Sequence, residues 1–181
     1  MEFKKLYIPD VILIKPNIFK DERGFFYESF RGDIFEKELN LNKNFVQDNH
    51  SSSSLGVLRG LHYQINKTQG KIIRVVRGRI FDVAVDLRKS SPFFGKWVGS
   101  ELSSENNHQI WIPEGFAHGF LTLSNETEVL YKSTDTYSPK DERCILWDDD
   151  DLNIKWPLSA EPIISDKDKL GSPFKDAETF D

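Results

Sequence analysis

An all-β fold is predicted for this chain, a jelly-roll barrel with a few short helices, and three features of the sequence predict it. Short apolar runs recur along most of its length, glycine-containing turns separate them at close intervals, and no stretch sustains a long helical period. Many short, evenly spaced strands build a sandwich or barrel. Phenylalanine and glycine are frequent, with 14 and 11 copies, whereas the single methionine is the initiator, a balance that favours sheet.

Val11 to Ile14 opens the series of strands, followed by Phe25 to Phe30, Phe45 to His50, Leu58 to Ile65 and Lys71 to Arg77. Arg79 to Leu87 alternates most cleanly. Phe81, Val83, Val85 and Leu87 fall on one face and Asp82, Ala84 and Asp86 on the other, the pattern of a strand with one face in a core. Lys96 to Leu102, Gln109 to Ile112, His118 to Leu123 and Val129 to Thr134 complete the set. Thr68-Gln69-Gly70 and Arg77-Gly78-Arg79 read as hairpin-type connections. Ile34 to Leu41, with Ile34, Phe35, Leu39 and Leu41 among charged residues, is a short helix, and a second follows Asp166; neither covers a sheet alone. Ser51 to Ser54 falls at a loop or strand end. Asp148 to Asp151 reads as a solvated turn, because four adjacent carboxylates lack the spaced donors of a calcium loop.

The chain has 181 residues, enough for one domain over 1–181 that buries about two-thirds of its unfolded surface. An N-terminal segment and a C-terminal extension flank the barrel in this expectation. Net charge is −5 with both signs interspersed, so the concentrated positive patch of a nucleic-acid binder is absent from the sequence. Cys144 is the only cysteine, which excludes an internal disulfide and suits a reducing compartment. Val11 to Ile14 is far too short for a signal core or a membrane span. A cytoplasmic protein with no membrane anchor is expected.

The chemistry concentrates on two histidines, His62 in Leu58-Arg59-Gly60-Leu61-His62-Tyr63-Gln64 and His118 in Pro113-Glu114-Gly115-Phe116-Ala117-His118. His62 shares strand parity with Gly60 and Gln64, and Lys71 with Ile73 and Val75, so both polar groups point toward a barrel interior. Gln47 and Asn49 share a face with Phe45, and Tyr131 shares one with Val129 and Ser133. So many inward polar tips describe a wet pocket for a polar ligand, since unsatisfied groups in a dry core each cost kilocalories. The second histidine run matches half of the cupin metal motif. The first half reads His62-Tyr63-Gln64 with no carboxylate at the expected spacing, which leaves two ligands and predicts no metal. An imidazole, an ammonium and a phenol then suit proton removal beside a carbonyl. For Arg23, Arg59 and Arg74 the ordinary expectation is surface charge, with phosphate contact as the functional alternative at Arg59. Phe25, Phe26 and Tyr27 read as core or interface residues, with stacking on a base as their alternative.

These motifs resemble the dTDP-4-dehydrorhamnose 3,5-epimerase family, metal-free cupin-type jelly rolls. The resemblance runs through Asp21 to Phe26, Phe45 to His50, Gly56 to Gln64, Gln69-Gly70-Lys71, Ile80 to Arg88, Ile112 to Phe120, Tyr131-Lys132 and Ser165 to Asp168. It implies His62 as general base, Asp168 as the carboxylate orienting its ring, Tyr131 as acid and Lys71 as the cation on the C4 enolate oxygen. His118 is implied to line the same pocket. Sugar and nucleotide contacts map onto Arg23, Phe26, Glu28, Gln47, Asn49, Arg59 and Tyr137. The implied substrate is dTDP-4-dehydro-6-deoxy-D-glucose, inverted at C3 and C5 without a cofactor and then reduced by a separate enzyme to dTDP-L-rhamnose for surface polysaccharide. A homodimer is implied, with the N-terminal segment reaching into the neighbouring pocket. Basic residues common in relatives are replaced here by Ser52 and Leu55, which bears on the phosphate contacts. A single-site epimerase or ketoisomerase, a non-catalytic carbohydrate-binding barrel and a metal dioxygenase or isomerase are the competing functions.

Overall fold

The computed structural model describes residues 1–41 and 43–181. Two antiparallel sheets face each other. The six-stranded sheet runs β1 (Glu2–Lys5), β2 (Ile12–Lys15), β10 (Gln109–Ile112), β7 (Lys71–Arg77), β12 (Thr127–Ser133) and β5 (Gln47–Ser53). The five-stranded sheet runs β13 (Glu142–Cys144), β6 (Leu58–Gln64), β11 (Phe116–Thr122), β8 (Arg79–Asp86) and β9 (Trp97–Ser103). A separate hairpin pairs β3 (Phe19–Asp21) with β4 (Gly24–Phe26). This is the jelly roll expected from the strand pattern. Its helical content is α1 (Gly32–Leu39) and two 3-10 turns, Asp168–Leu170 and Phe174–Asp176, the latter two standing where a second helix was expected.

Alternation along each strand sorts the apolar residues into three layers. Between the sheets, Leu13, Ile73, Val75, Ile110, Ile112 and Val129 from one side meet Ile80, Ala84, Val98, Leu102, Phe116 and Phe120 from the other. On the back of the six-stranded sheet, Ile12, Ile14, Ile72 and Trp111 pack under Phe35 and Leu39 of α1. On the back of the five-stranded sheet, Leu61, Tyr63, Val83, Val85, Leu87 and Leu121 lie beneath the C-terminal segment, which contributes Leu152, Trp156, Phe174 and Phe180.

That third layer corrects the expectation for β8. Both of its faces are buried: Val83, Val85 and Leu87 point outward into the C-terminal layer, while Ile80, Asp82 and Ala84 point into the sandwich. Two further corrections concern connections. Neither Thr68-Gln69-Gly70 nor Arg77-Gly78-Arg79 is a hairpin, because β6 and β7, and β7 and β8, lie in different sheets. Glycine marks a tight reversal, but not which sheet the next strand joins. Ser51 to Ser53 form the end of β5, in keeping with the expected loop or strand end. The Asp148 to Asp151 turn exists, yet Asp149 is buried and accepts backbone N–H bonds from Asp151, Leu152 and Phe174, so it ties the C-terminal segment together.

Candidate active site

At one end of the sandwich the interior residues turn polar and a cavity of about 220 Å³ opens between the sheets. Gln47 and Asn49 of β5, Lys71 of β7 and Tyr131 of β12 line it from the six-stranded sheet. His62 and Gln64 of β6 and Glu142 of β13 line it from the other, with Tyr137 from the connecting loop. Strand register explains the grouping: Gln47, Ser133 and Lys71 are paired across three neighbouring strands, and Asn49 and Tyr131 form the next row. His62 and Tyr131 therefore enter the cavity from opposite walls. Its size suits a sugar, below the ~300–1,000 Å³ of pockets that enclose a whole drug-sized ligand.

Asp168 stands behind His62. The 3-10 turn that carries it is docked on β6, where Leu58 N–H donates to Ile163 O and Leu61 exchanges backbone bonds with Ile145. His62 Nε2 lies 2.7 Å from Asp168 Oδ1, and Gly60 N–H donates to Asp168 Oδ2 at 3.2 Å. The Gly60 position has to be glycine: its φ is +123°, and a Cβ there would sit 2.5 Å from Gly119 Cα. The β6–β11 register shifts at this point, which lets Leu58 and Leu61 both face the outer layer while His62 faces inward. Burial opposes ionisation of Asp168, but bonds from His62, Gly60 and Ser165 outweigh it and hold the carboxyl below its usual range. With Nε2 engaged by a carboxylate, Nδ1 is the ring nitrogen left without that partner, a position from which an imidazole can accept a proton.

Lys71 is only 8 % exposed, and burial pulls its ammonium down to about 8 against the upward pull of Asp82 and Glu142. Burial likewise raises the Tyr131 phenol, partly countered by Arg59, which favours its protonated form. Glu142 accepts from the Tyr137 hydroxyl at 2.6 Å and from the Lys167 ammonium. Burial works against its charge, yet these bonds hold it below the ordinary carboxylate range.

The cavity thus gathers His62, Lys71, Tyr131, Gln47, Asn49 and Tyr137, with Asp168 one step behind. His118 is not on its wall: it pairs with His62 across β6 and β11, is buried, and places Nε2 2.8 Å from Asp82 Oδ2. Arg59 is held against β5 by Ser53 Oγ and Ser52 O rather than reaching into the cavity. Arg23, Phe26 and Glu28 are not gathered here either. They lie on or after the β3–β4 hairpin, where Arg23 pairs with Asp21, Glu28 with Arg31, and the Phe26 ring is 68 % exposed. Sequence reasoning missed Glu142 and the Asp82–His118 contact. A three-residue strand leaves no periodicity to notice, but an aspartate among the apolar residues of β8 was a usable signal.

His62, Cys144 and Asp168 bring one donor atom each within 4.8 Å of one another, the one such cluster found among the described residues. Burial and the carboxylates of Asp168 and Glu142 push the Cys144 thiol up to about 12, and both Asp168 oxygens are engaged. The donor set suits a hydrogen-bonded base better than a metal centre.

The family model described as dTDP-4-dehydrorhamnose 3,5-epimerase matches residues 5–176. The chain belongs to that family. A Pseudomonas aeruginosa dTDP-4-dehydrorhamnose 3,5-epimerase is 56 % identical over 180 residues, covering 99 % of each chain. Among solved structures of this epimerase family, a Legionella pneumophila dTDP-6-deoxy-D-glucose-3,5-epimerase in complex with dTDP-4-keto-L-rhamnose superposes with a TM-score of 0.96. It is 48 % identical, over 98 % of this chain and 94 % of that one. A 3'-monoepimerase from Streptomyces bikiniensis in complex with dTDP-quinovose is more distant, with a TM-score of 0.88 and 34 % identity over 94 % and 86 % of the two chains.

Proposed function

We propose that this chain inverts C3 and C5 of dTDP-4-dehydro-6-deoxy-D-glucose, giving dTDP-4-dehydro-L-rhamnose for dTDP-L-rhamnose biosynthesis. Both carbons flank the C4 ketone, so each hydrogen is acidified by the same carbonyl. In this mechanism His62 Nδ1 removes the proton while Asp168 stabilises the imidazolium through Nε2. The Lys71 ammonium takes the charge that develops on the C4 oxygen. Tyr131 delivers a proton to the opposite face of the carbon, solvent water takes the proton from His62 and restores that of Tyr131, and repetition at the second carbon completes the product. Proton out and proton in leave the oxidation state unchanged, so the chemistry requires no redox cofactor.

One observation carries this: a base and an acid enter one cavity from opposite sheets, with a buried cation between neighbouring strands. Base and acid on opposite faces are what inversion requires, and a carbohydrate-binding barrel has no use for them. Gln47, Asn49, Arg59 and Tyr137 serve the sugar and diphosphate, with His118 behind the wall.

The functional unit is one domain over residues 1–181 that works as a homodimer in the cytoplasm. No helix among the described residues is long and apolar enough to cross a membrane. The exposed Phe19, Phe25 and Phe26 of the β3–β4 hairpin support a partner at that edge, with Arg23, Phe26 and Glu28 acting on the neighbouring subunit's nucleotide. Light scattering at assay concentration should give twice the chain mass, and Phe26→Ala should raise KM for substrate far more than it lowers kcat. The reaction itself is tested by proton spectra of the product: inversion at both carbons is expected. Inversion at C3 alone would establish the single-site activity of the monoepimerase instead.

A further inference from the structure

The pocket mechanism uses Lys71 but leaves two buried ionisable groups behind it unexplained. Asp82 of β8 is wholly inaccessible to solvent. His118 holds its Oδ2, while its Oδ1 is buried with no hydrogen-bond partner among the described residues. A carboxylate oxygen left bare in an apolar sandwich is costly, and packing does not account for it, since the neighbouring interior positions of β8 are Ile80 and Ala84. Lys71 enters the same interior layer from the facing sheet, and Asp82 is the carboxylate that acts on it most strongly. His118 thus satisfies one oxygen of Asp82, and the other faces the layer that Lys71 enters without a hydrogen bond among the described residues.

We infer that Asp82, clamped on one oxygen by His118, is a positioning residue for Lys71, supplying from behind the cavity wall the counter-charge that holds the lysine as an ammonium facing the C4 oxygen. The assignment rests on the proposed role of Lys71. Without a counter-charge, a lysine this buried loses its proton near neutrality, and a neutral amine cannot stabilise an enolate. His118 supports Asp82 in turn. Its bond fixes the carboxylate rotamer and partly offsets the burial that raises the Asp82 carboxyl. The titratable groups around Lys71 are Asp82 of β8, His118 of β11, His62 of β6, Glu142 of β13 and Tyr131 of β12. The two carboxylates, Asp82 and Glu142, are the ones that raise its proton affinity.

The test is the isosteric Asp82→Asn variant. The alkaline limb of kcat, which reports protonated Lys71, should move down by about one pH unit or more. The acid limb and the affinity for dTDP should stay unchanged. The same displacement should appear in the Lys71 Nζ titration followed by nitrogen NMR. An unmoved alkaline limb with an unmoved lysine titration overturns the inference. A fully active Lys71→Met overturns instead the role of Lys71 on which it rests, so the two failures are distinguishable. Should Asp82→Asn not fold, the lysine is titrated in Glu142→Gln, where Asp82 is the remaining carboxylate acting on it. Titration staying above about 6 supports the counter-charge, and a fall into the 5–6 range of uncompensated buried lysines refutes it.

Discussion

Asp168→Asn isolates what the carboxylate does for the base while preserving its shape. In the native site the two carboxylate oxygens serve two donors, His62 Nε2 at 2.7 Å and Gly60 N–H at 3.2 Å. An amide has only one oxygen. If it stays on Gly60, the amide N–H points at Nε2, forces that nitrogen to accept, and moves the ring proton to Nδ1, the atom that must take the substrate proton. If the amide flips, the Gly60 donor loses its partner in a site where Asp168 is only 3 % exposed. Loss of a charge-assisted bond to the imidazolium costs ~1.5–3 kcal/mol, and the wrong tautomer or the orphaned donor adds ~2 kcal/mol. The total, roughly 3.5–5 kcal/mol, corresponds to about two and a half to nearly four decades in kcat. KM should change by less than about threefold, because binding contacts are untouched. The assay is kcat and KM for the 4-keto nucleotide sugar by proton NMR, on protein whose thermal unfolding matches the native enzyme. A loss in kcat below tenfold would refute the base–carboxylate arrangement.

Three further outcomes follow from particular contacts. Tyr131→Phe should leave His62 able to exchange the substrate proton with solvent while stereochemical inversion is lost, seen as deuterium in recovered substrate without product. Lys71→Met should lower kcat by at least about a hundredfold yet stabilise the fold at pH 7 by up to ~3 kcal/mol, because it removes a buried ammonium. The sign follows from linkage: below about 8 the folded lysine carries a desolvated charge, and above its unfolded value near 10.5 it carries none in either state. The stability gap between the variant and the native protein should therefore narrow as pH rises from about 8 to 10.5, and a constant gap in urea titrations would contradict it. Asp149→Ala strips the acceptor from three backbone donors and should cost ~2–4 kcal/mol in the same titrations.

Strand parity made much of the site legible before any coordinates. Lys71 and Tyr131 follow the inward alternation of their strands, and His62 keeps parity with Gln64 beyond the register shift in β6; period-two alternation depends only on local backbone geometry. Which wall each residue occupies was not legible, because sheet membership is set by pairing between segments far apart in sequence. The same blindness turned two inter-sheet crossings into hairpins, since a glycine reversal looks alike in both. Glu142 enters the cavity through the pairing of Glu142 with Gln64, a contact across 78 positions that a three-residue strand does not advertise. Asp82 was assigned to the face opposite the core because one buried face was assumed for β8. The C-terminal layer of Trp156, Phe174 and Phe180 buries the other, so alternation there separates two cores rather than core from water. The β3–β4 hairpin shows the reverse case: Arg23, Phe26 and Glu28 were drawn from family resemblance, and a single chain leaves them away from its own cavity.

The central claim is that one imidazole, His62, removes hydrogen from both carbons beside the ketone. Mass and proton spectra of product formed in heavy water by the native protein and by His62→Asn test it most directly. Deuterium at C3 and at C5 with the native protein, and at neither with the variant, is the expected result. Label at one carbon only, or uptake at either carbon that persists without His62, would contradict it.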